Sequence, residues 1–383
     1  MNVFLTGATG FLGGELAVLL AKLPRLERLH CLIRTDETGD SPSRLRQVFD
    51  FHSDVLDPAR VVPIEGELKD GGLAEKLARH SALRDVDTII HSAADTSFAP
   101  ASAENNAKVN VGGTLQLLKW AQTLPNLKTF VYVGTASICG TGLTNSHVFE
   151  DQSPNPHATH LVRYCQTKMQ GEMEVTRAIP PEKLLIVRPS IIMGDSRDLK
   201  PRSYVILWTL AAVNAIRLVP VNAEADLDII PVDYAANAIL ELLFAQRRWT
   251  TYHISAGQQS ATNLTKVART IESLTADRPS FKFVTRQFLP LMKKWSKKHQ
   301  PTGELFDYPE YLSYWNSAFN GNMRIILAGL DPYLRFMELN QTFDNTRLLA
   351  DTQLPPPLPP HEYLKQTGKY VNQIDLVAGA LDP

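Results

Sequence analysis

The chain opens on an apolar run, Val3 to Leu5, that stops at Thr6-Gly7. Glu15 to Leu23 then carries Leu16, Leu19, Leu20 and Leu23 on one stripe of helical spacing, so this stretch predicts strand, tight turn and helix. Further short, mostly apolar runs recur at Leu29–Arg34, Val61–Ile64, Asp87–His91, Thr129–Val133, Leu184–Val187 and Thr251–Ser255. Between them lie helix-patterned stretches, one through Leu115, Leu117, Leu118 and Trp120, another from Tyr234 to Phe244. Strands alternating with helices predict an α/β fold, a doubly wound parallel sheet of the Rossmann type. From Gly194 to Val221 the pattern is loop and helix, so residues from about 195 to 230 are read as insertions that belong to a substrate lobe. Beyond about residue 262 the alternation is lost. The expected division is a dinucleotide-binding domain over 1–260 and a smaller, mainly helical substrate or lid region over 261–383. Near its end runs Leu354-Pro355-Pro356-Pro357-Leu358-Pro359-Pro360, stiff and extended, read as a strap over the surface rather than a recognition ligand.

Composition narrows the class. With 383 residues, 44% hydrophobic and 21% charged, the chain reads as a globular protein. A net charge of −1 gives no broad positive field, so nucleic acid is not an expected partner. The one basic cluster, Lys293-Lys294-Trp295-Ser296-Lys297-Lys298, is a solvated helix face or a landing site for an acidic partner. Cys31, Cys139 and Cys165 have no metal-ligand spacing and form no even-numbered framework, which suits a reducing compartment and predicts no metal site. No apolar run is long enough to span a bilayer and the N-terminus does not read as a signal peptide, so the expectation is a cytoplasmic monomer or homodimer.

Candidate chemistry gathers where the strands end. Thr6-Gly7-Ala8-Thr9-Gly10-Phe11-Leu12-Gly13 spaces three glycines for a turn, a close approach to pyrophosphate and tight helix packing, with phosphate meeting the helix N-terminus. Arg34, after the second strand, favours a 2′-phosphate and hence NADP, with Arg44 a second clamp; Asp36 keeps NAD open as a lesser reading. Glu67, before Leu68, contacts adenine or is an ordinary loop carboxylate. The small residues Ser92-Ala93-Ala94 let the backbone pass close to a cofactor. Asn110 opens or interrupts a helix and needs a reason to be there, a satisfied core amide being the plain one. Tyr164 and Lys168 sit one helical turn apart, with the Thr135 hydroxyl 29 residues upstream of Tyr164. A phenol with a pKa near ~10 needs a nearby ammonium and a cationic cofactor to work as an acid–base group at neutral pH.

Taken together, the glycine turn, His91-Ser92-Ala93-Ala94, Asn110-Val111-Gly112-Gly113-Thr114, Tyr164-x-x-x-Lys168 and Arg188-Pro189 resemble the extended short-chain dehydrogenase/reductase superfamily, over roughly residues 1 to 260. Within it the wording is closest to fatty acyl-CoA reductases and thioester reductase domains, through Cys31-Leu32-Ile33-Arg34, Phe98, Tyr164-Cys165-Gln166-Thr167-Lys168, Val187-Arg188-Pro189-Ser190-Ile191-Ile192 and Gly194-Asp195-Ser196. The resemblance implies NADPH-dependent reduction of an acyl thioester, borne by coenzyme A or a carrier protein, to an aldehyde, with the onward step to the alcohol left open. It assigns catalysis to Thr135, Tyr164 and Lys168 with Asn110 as fourth member, and adds Pro189, Ser190 and Ile191 to the cofactor contacts. Glu67 stands where that family usually has Asp, and Gly134 where a second hydroxyl is frequent. Two alternatives stay open: a ketone or sterol dehydrogenase or nucleotide-sugar epimerase on the same scaffold, and a non-catalytic dinucleotide sensor.

Overall fold

Seven parallel strands form the centre of the molecule, and the sequence supplies them as nearly unbroken apolar runs because both faces of the sheet are covered. In the computed structural model, which describes residues 1–35, 39–197, 204–273, 275, 277–319 and 321–381, they are β1 Asn2–Thr6, β2 Arg28–Ile33, β3 Val61–Glu65, β4 Thr88–His91, β5 Thr129–Val133, β6 Leu184–Pro189 and β7 Thr251–Ile254. Their spatial order is β7-β6-β5-β4-β1-β2-β3, all neighbours parallel. The order reverses beside β1, between β4 and β2, and a ligand crevice is expected at the carboxyl ends there.

Helices cover both faces. α1 Phe11–Ala21 and α2 Ser41–Phe51 pack on one face; α3 Leu73–Arg79, α4 Thr114–Ala121 and α5 Arg163–Ala178 pack on the other. α6 Tyr204–Ile216 belongs to the lobe, whereas α7 Val232–Phe244 returns to the first face beside α1. α1 starts at Phe11, earlier than the leucine stripe suggests, because Gly13 and Gly14 lie inside the helix rather than in the turn. Its one carboxylate, Glu15, is buried, and Arg197 from the insertion donates to it at 2.8 and 2.7 Å.

The lobe is a second core. It is built from α6, α8 Leu264–Glu272, α9 Phe288–Lys298, α10 Pro309–Ala318 and α11 Met323–Met337, around Trp208, Trp295 and Trp315. Residues 341–351 then return to the sheet body. Gln341–Phe343 runs parallel to Ser146–Val148, and Leu348 of α12 Thr346–Asp351 joins the core beneath α1 and α7. The proline run crosses without regular structure from α12 to α13 Pro360–Gly368, held where Ser260 donates to the Pro357 carbonyl at 2.6 Å. Among the described residues, no helix is long and apolar enough to cross a membrane.

Candidate active site

The glycine turn is the first wall of the site. Gly7 has φ +80°, and a Cβ there would come within 2.8 Å of the Ala93 nitrogen. A Cβ on Gly13 would lie 2.1 Å from the Gly7 carbonyl, so only glycine lets α1 approach β1 this closely. That cradle, opening on the N-terminus of α1, fits the pyrophosphate of a nicotinamide dinucleotide.

A single cavity of about 650 Å³ runs from this turn into the lobe. Thr6, Gly7, Thr9, Gly10, Phe11, Leu12, Gly13, Arg34, Arg44, Glu67, Leu68, Ser92, Ala93, Ala94, Thr135, Tyr164, Lys168, Pro189, Ser190 and Ile191, all singled out from sequence, line it. Arg44 Nη1 donates to the Arg34 carbonyl at 2.6 Å, which ties the start of α2 to the end of β2. Glu67 pairs with Lys69 at 2.9 Å. Asp36 lies outside the described residues.

Asn110 does not line the cavity. It sits in a π-helical turn, Ala107–Gly113, that widens the helix ahead of α4. Its side chain accepts from the Asp95 nitrogen at 2.8 Å and donates to the Asp95 carbonyl at 2.9 Å and to Thr167 Oγ1 at 3.0 Å. The amide therefore fastens the loop after β4 to α5, and its donors are committed to protein.

α5 presents the candidate pair, Tyr164 and Lys168. It carries no proline, and its inward residues Cys165, Lys168, Met169, Glu172 and Val175 recur at helical spacing. Tyr164 and Lys168 face the cavity together. Burial pushes the Tyr164 phenol above its ordinary value, and its hydrogen bond with Thr135 acts the other way. Burial lowers the Lys168 ammonium to about 7, with Glu172 opposing. Desolvation dominates at Tyr164, and the phenol is held neutral, the form that donates a proton. Glu172 is fixed by Arg188, whose Nη2 lies 2.6 Å from Oε1, both groups being buried. Cys165 is buried, its thiol pushed up by burial, and it does not line the cavity.

Two features of the site are given no role by the sequence, although His91 and Phe98 stand among the residues that carry the resemblance. His91 is fully buried, with Thr6 Oγ1 2.8 Å from Nδ1 and Thr114 Oγ1 2.9 Å from Nε2. Thr114 also donates to the Asn110 carbonyl at 2.7 Å, so the ring is assigned as neutral with its proton on Nε2. Burial holds its pKa well below the ordinary value. The second feature is an aromatic stack over the phenol. Phe98 lies 5.9 Å from Tyr164 and 4.8 Å from Tyr333 between ring centroids, with Phe336 at 5.3 Å. Tyr333 and Phe336 come from α11, which joins the site from far along the chain.

The fold and this crevice define an extended short-chain dehydrogenase/reductase scaffold that binds a nicotinamide dinucleotide. More narrowly, residues 5–239 match the family described as Male sterility protein, and the chain belongs to that family. Fatty acyl-CoA reductase 2 of Homo sapiens is 25% identical over 332 residues, covering 73% of this chain and 63% of that protein. The nonribosomal peptide synthetase asaC of Aspergillus flavus is 30% identical over 258 residues, 63% of this chain and 24% of that protein. The terminal R domain of the myxalamid PKS-NRPS pathway superposes with a TM-score of 0.71 at 22% identity, over 97% of this chain and 91% of that one. UDP-glucuronic acid 4-epimerase of Bacillus cereus, in complex with NAD, gives a TM-score of 0.64 at 16% identity, over 97% of this chain and 99% of that one. The chain spans between about half and two thirds of the curated fatty acyl-CoA reductases it matches.

Proposed function

We propose that this protein is a cytoplasmic, NADPH-dependent reductase that converts an apolar acyl thioester, carried by coenzyme A or a carrier protein, to the aldehyde. One observation carries the choice of substrate. The lobe contributes Leu210, Val213, Leu264, Val267, Ala268 and Ile271 to the cavity, and no charged side chain among the described residues. A nucleotide-sugar diphosphate would need cations there. A hydrocarbon chain needs only this surface. The relatives named as fatty acyl-CoA reductases support the same class.

Arg34 and Arg44 are read as the clamp for a 2′-phosphate, and the lobe, which takes in residues 261–383 except the 341–351 return to the sheet body, as the substrate region. Bound in the crevice, the reduced nicotinamide supplies hydride. Thr135 and Tyr164 hold the thioester oxygen between two hydroxyl donors as the carbonyl carbon becomes tetrahedral. The Tyr164 proton passes to that oxygen, and Lys168 stabilises the phenolate left behind. The carbon–sulfur bond then breaks, the thiol leaves with a proton, and the carbonyl re-forms as aldehyde. Asn110 holds α5 in place from behind.

Tyr164→Phe tests the assignment. Turnover is expected to fall by roughly 10²–10⁴-fold, with NADPH affinity kept. Full turnover in this variant would overturn it, and a wild-type protein that binds NADPH but reduces no carbonyl would favour a sensor.

A further inference from the structure

Lys168 is buried at the wall of the cavity. It is 2% exposed, and among the described residues it forms no ion pair. The carboxylate one turn along, Glu172, is engaged by Arg188 through Nη2 at 2.6 Å and Nε at 3.2 Å. What lies under the ammonium is a ring: Nζ is 4.3 Å from the centroid of Tyr132.

That ring is fixed from several sides. Tyr132 is on β5, three residues before Thr135, and is fully buried. Its hydroxyl donates to the Lys168 carbonyl at 3.0 Å, so one side chain grips both ends of the lysine. A Cβ on Gly171 would lie 2.4 Å from that hydroxyl, so glycine there is what admits it. His91 packs against the ring at 5.8 Å between centroids. The negative face of an aromatic ring attracts a cation, most strongly where water is excluded.

We propose that Tyr132 is a positioning residue for the reduction, its ring face being the seat that keeps the Lys168 ammonium charged and in place beside Tyr164. This rests on the reading of Lys168 as a working member of the site. The titratable and charged groups around the ammonium are Tyr164 and Glu172 on α5, His91 from β4, Tyr132 from β5 and, through Glu172, Arg188 from β6. His91 is held neutral by burial and Glu172, which favours the charge, is shared with Arg188, so the ring face directly under Nζ adds to a support that the carboxylate supplies only in part.

The test is the pH profile of kcat/KM for thioester reduction in Tyr132→Phe, Tyr132→Leu and a variant with pentafluorophenylalanine at position 132. Phenylalanine keeps the ring face and is expected to keep the alkaline limb in place. Leucine and the fluorinated ring, whose face no longer attracts a cation, are expected to move that limb down by about one pH unit. The fluorinated ring preserves shape, so it answers even where leucine unfolds the sheet. An unmoved limb in the fluorinated variant, or an equal shift in Tyr132→Phe, would overturn the proposal. Lys168→Met separates the layers: wild-type turnover in that variant would sink the assignment of Lys168 itself. Loss of turnover there, with an unmoved limb in the fluorinated variant, would sink only the seat.

Discussion

At the scale of single residues, the site depends on which charges the protein keeps in water and which it buries. Arg34 and Arg44, beyond β2, reach solvent, whereas Lys168, Glu172 and Arg188 are buried beside Tyr164. An exposed arginine that meets a phosphate is worth a charge-assisted hydrogen bond, about 1.5–3 kcal/mol. Arg34→Ala is therefore expected to weaken NADPH binding by about 10–100-fold while leaving NADH nearly unchanged, as read by titration of each cofactor. An equal loss for both would place the arginine on the shared part of the dinucleotide. The buried pair answers differently, since removing one partner strands the other. Glu172→Ala is expected to cost roughly 3–5 kcal/mol of stability in denaturant unfolding; a cost below about 1 kcal/mol would show that water reaches Arg188.

At the scale of elements, much of the sheet body was legible in the chain and most of the lobe's contribution was not. β5 is the clearest case: Thr129–Val133 is an apolar β-branched and aromatic run ending at a glycine, and the strand has those bounds. The glycine turn is equally legible, because the backbone demands it makes at Gly7 and Gly13 can be met by one residue type. The π-helical turn at Asn110 was visible only as an anomaly, since its cause is a set of hydrogen bonds to Asp95 and Thr167 made across the fold. α11 was not legible as part of the site. Nothing in Met323–Met337 marks Tyr333 and Phe336 as neighbours of Phe98, and Pro332 inside the helix argues locally against its continuing. That helix gives a prediction that separates the two ends of the cavity. Tyr333→Ala is expected to raise KM for a thioester several-fold and leave KM for NADPH unchanged. Equal rises in both would mean that α11 supports the crevice as a whole.

Across the whole molecule, the chain is closed by residues 341–351 returning to the sheet, and two buried carboxylates receive them. Glu150 accepts from the Arg347 and His253 nitrogens, each at 2.8 Å, and burial raises its pKa to about 7. Asp228 accepts from Ala256 at 2.7 Å and Phe343 at 3.0 Å, and burial raises it to about 6. In the unfolded chain both titrate near ~4, so the folded state binds these protons more tightly. Their stabilising contribution is full below about pH 4 and is lost as pH rises through about 6 and 7. His91 and His253, held neutral by burial, act in the opposite sense at the acid end. Glu150→Gln is therefore expected to reduce the fall in Tm between about pH 5.5 and about pH 8 by roughly a few degrees. An unchanged fall would mean that this carboxylate is not titrating in that window.

All three scales serve one claim, that a neutral phenol and a buried ammonium face a reduced nicotinamide across an apolar acyl thioester. The direct measurement is NADPH absorbance during incubation with a panel of acyl-CoA thioesters, free aldehydes, ketones and nucleotide sugars. Consumption with apolar thioesters, rising with the length of the hydrocarbon chain and accompanied by release of free thiol, is the predicted result. Consumption with ketones but with no thioester or aldehyde would contradict it.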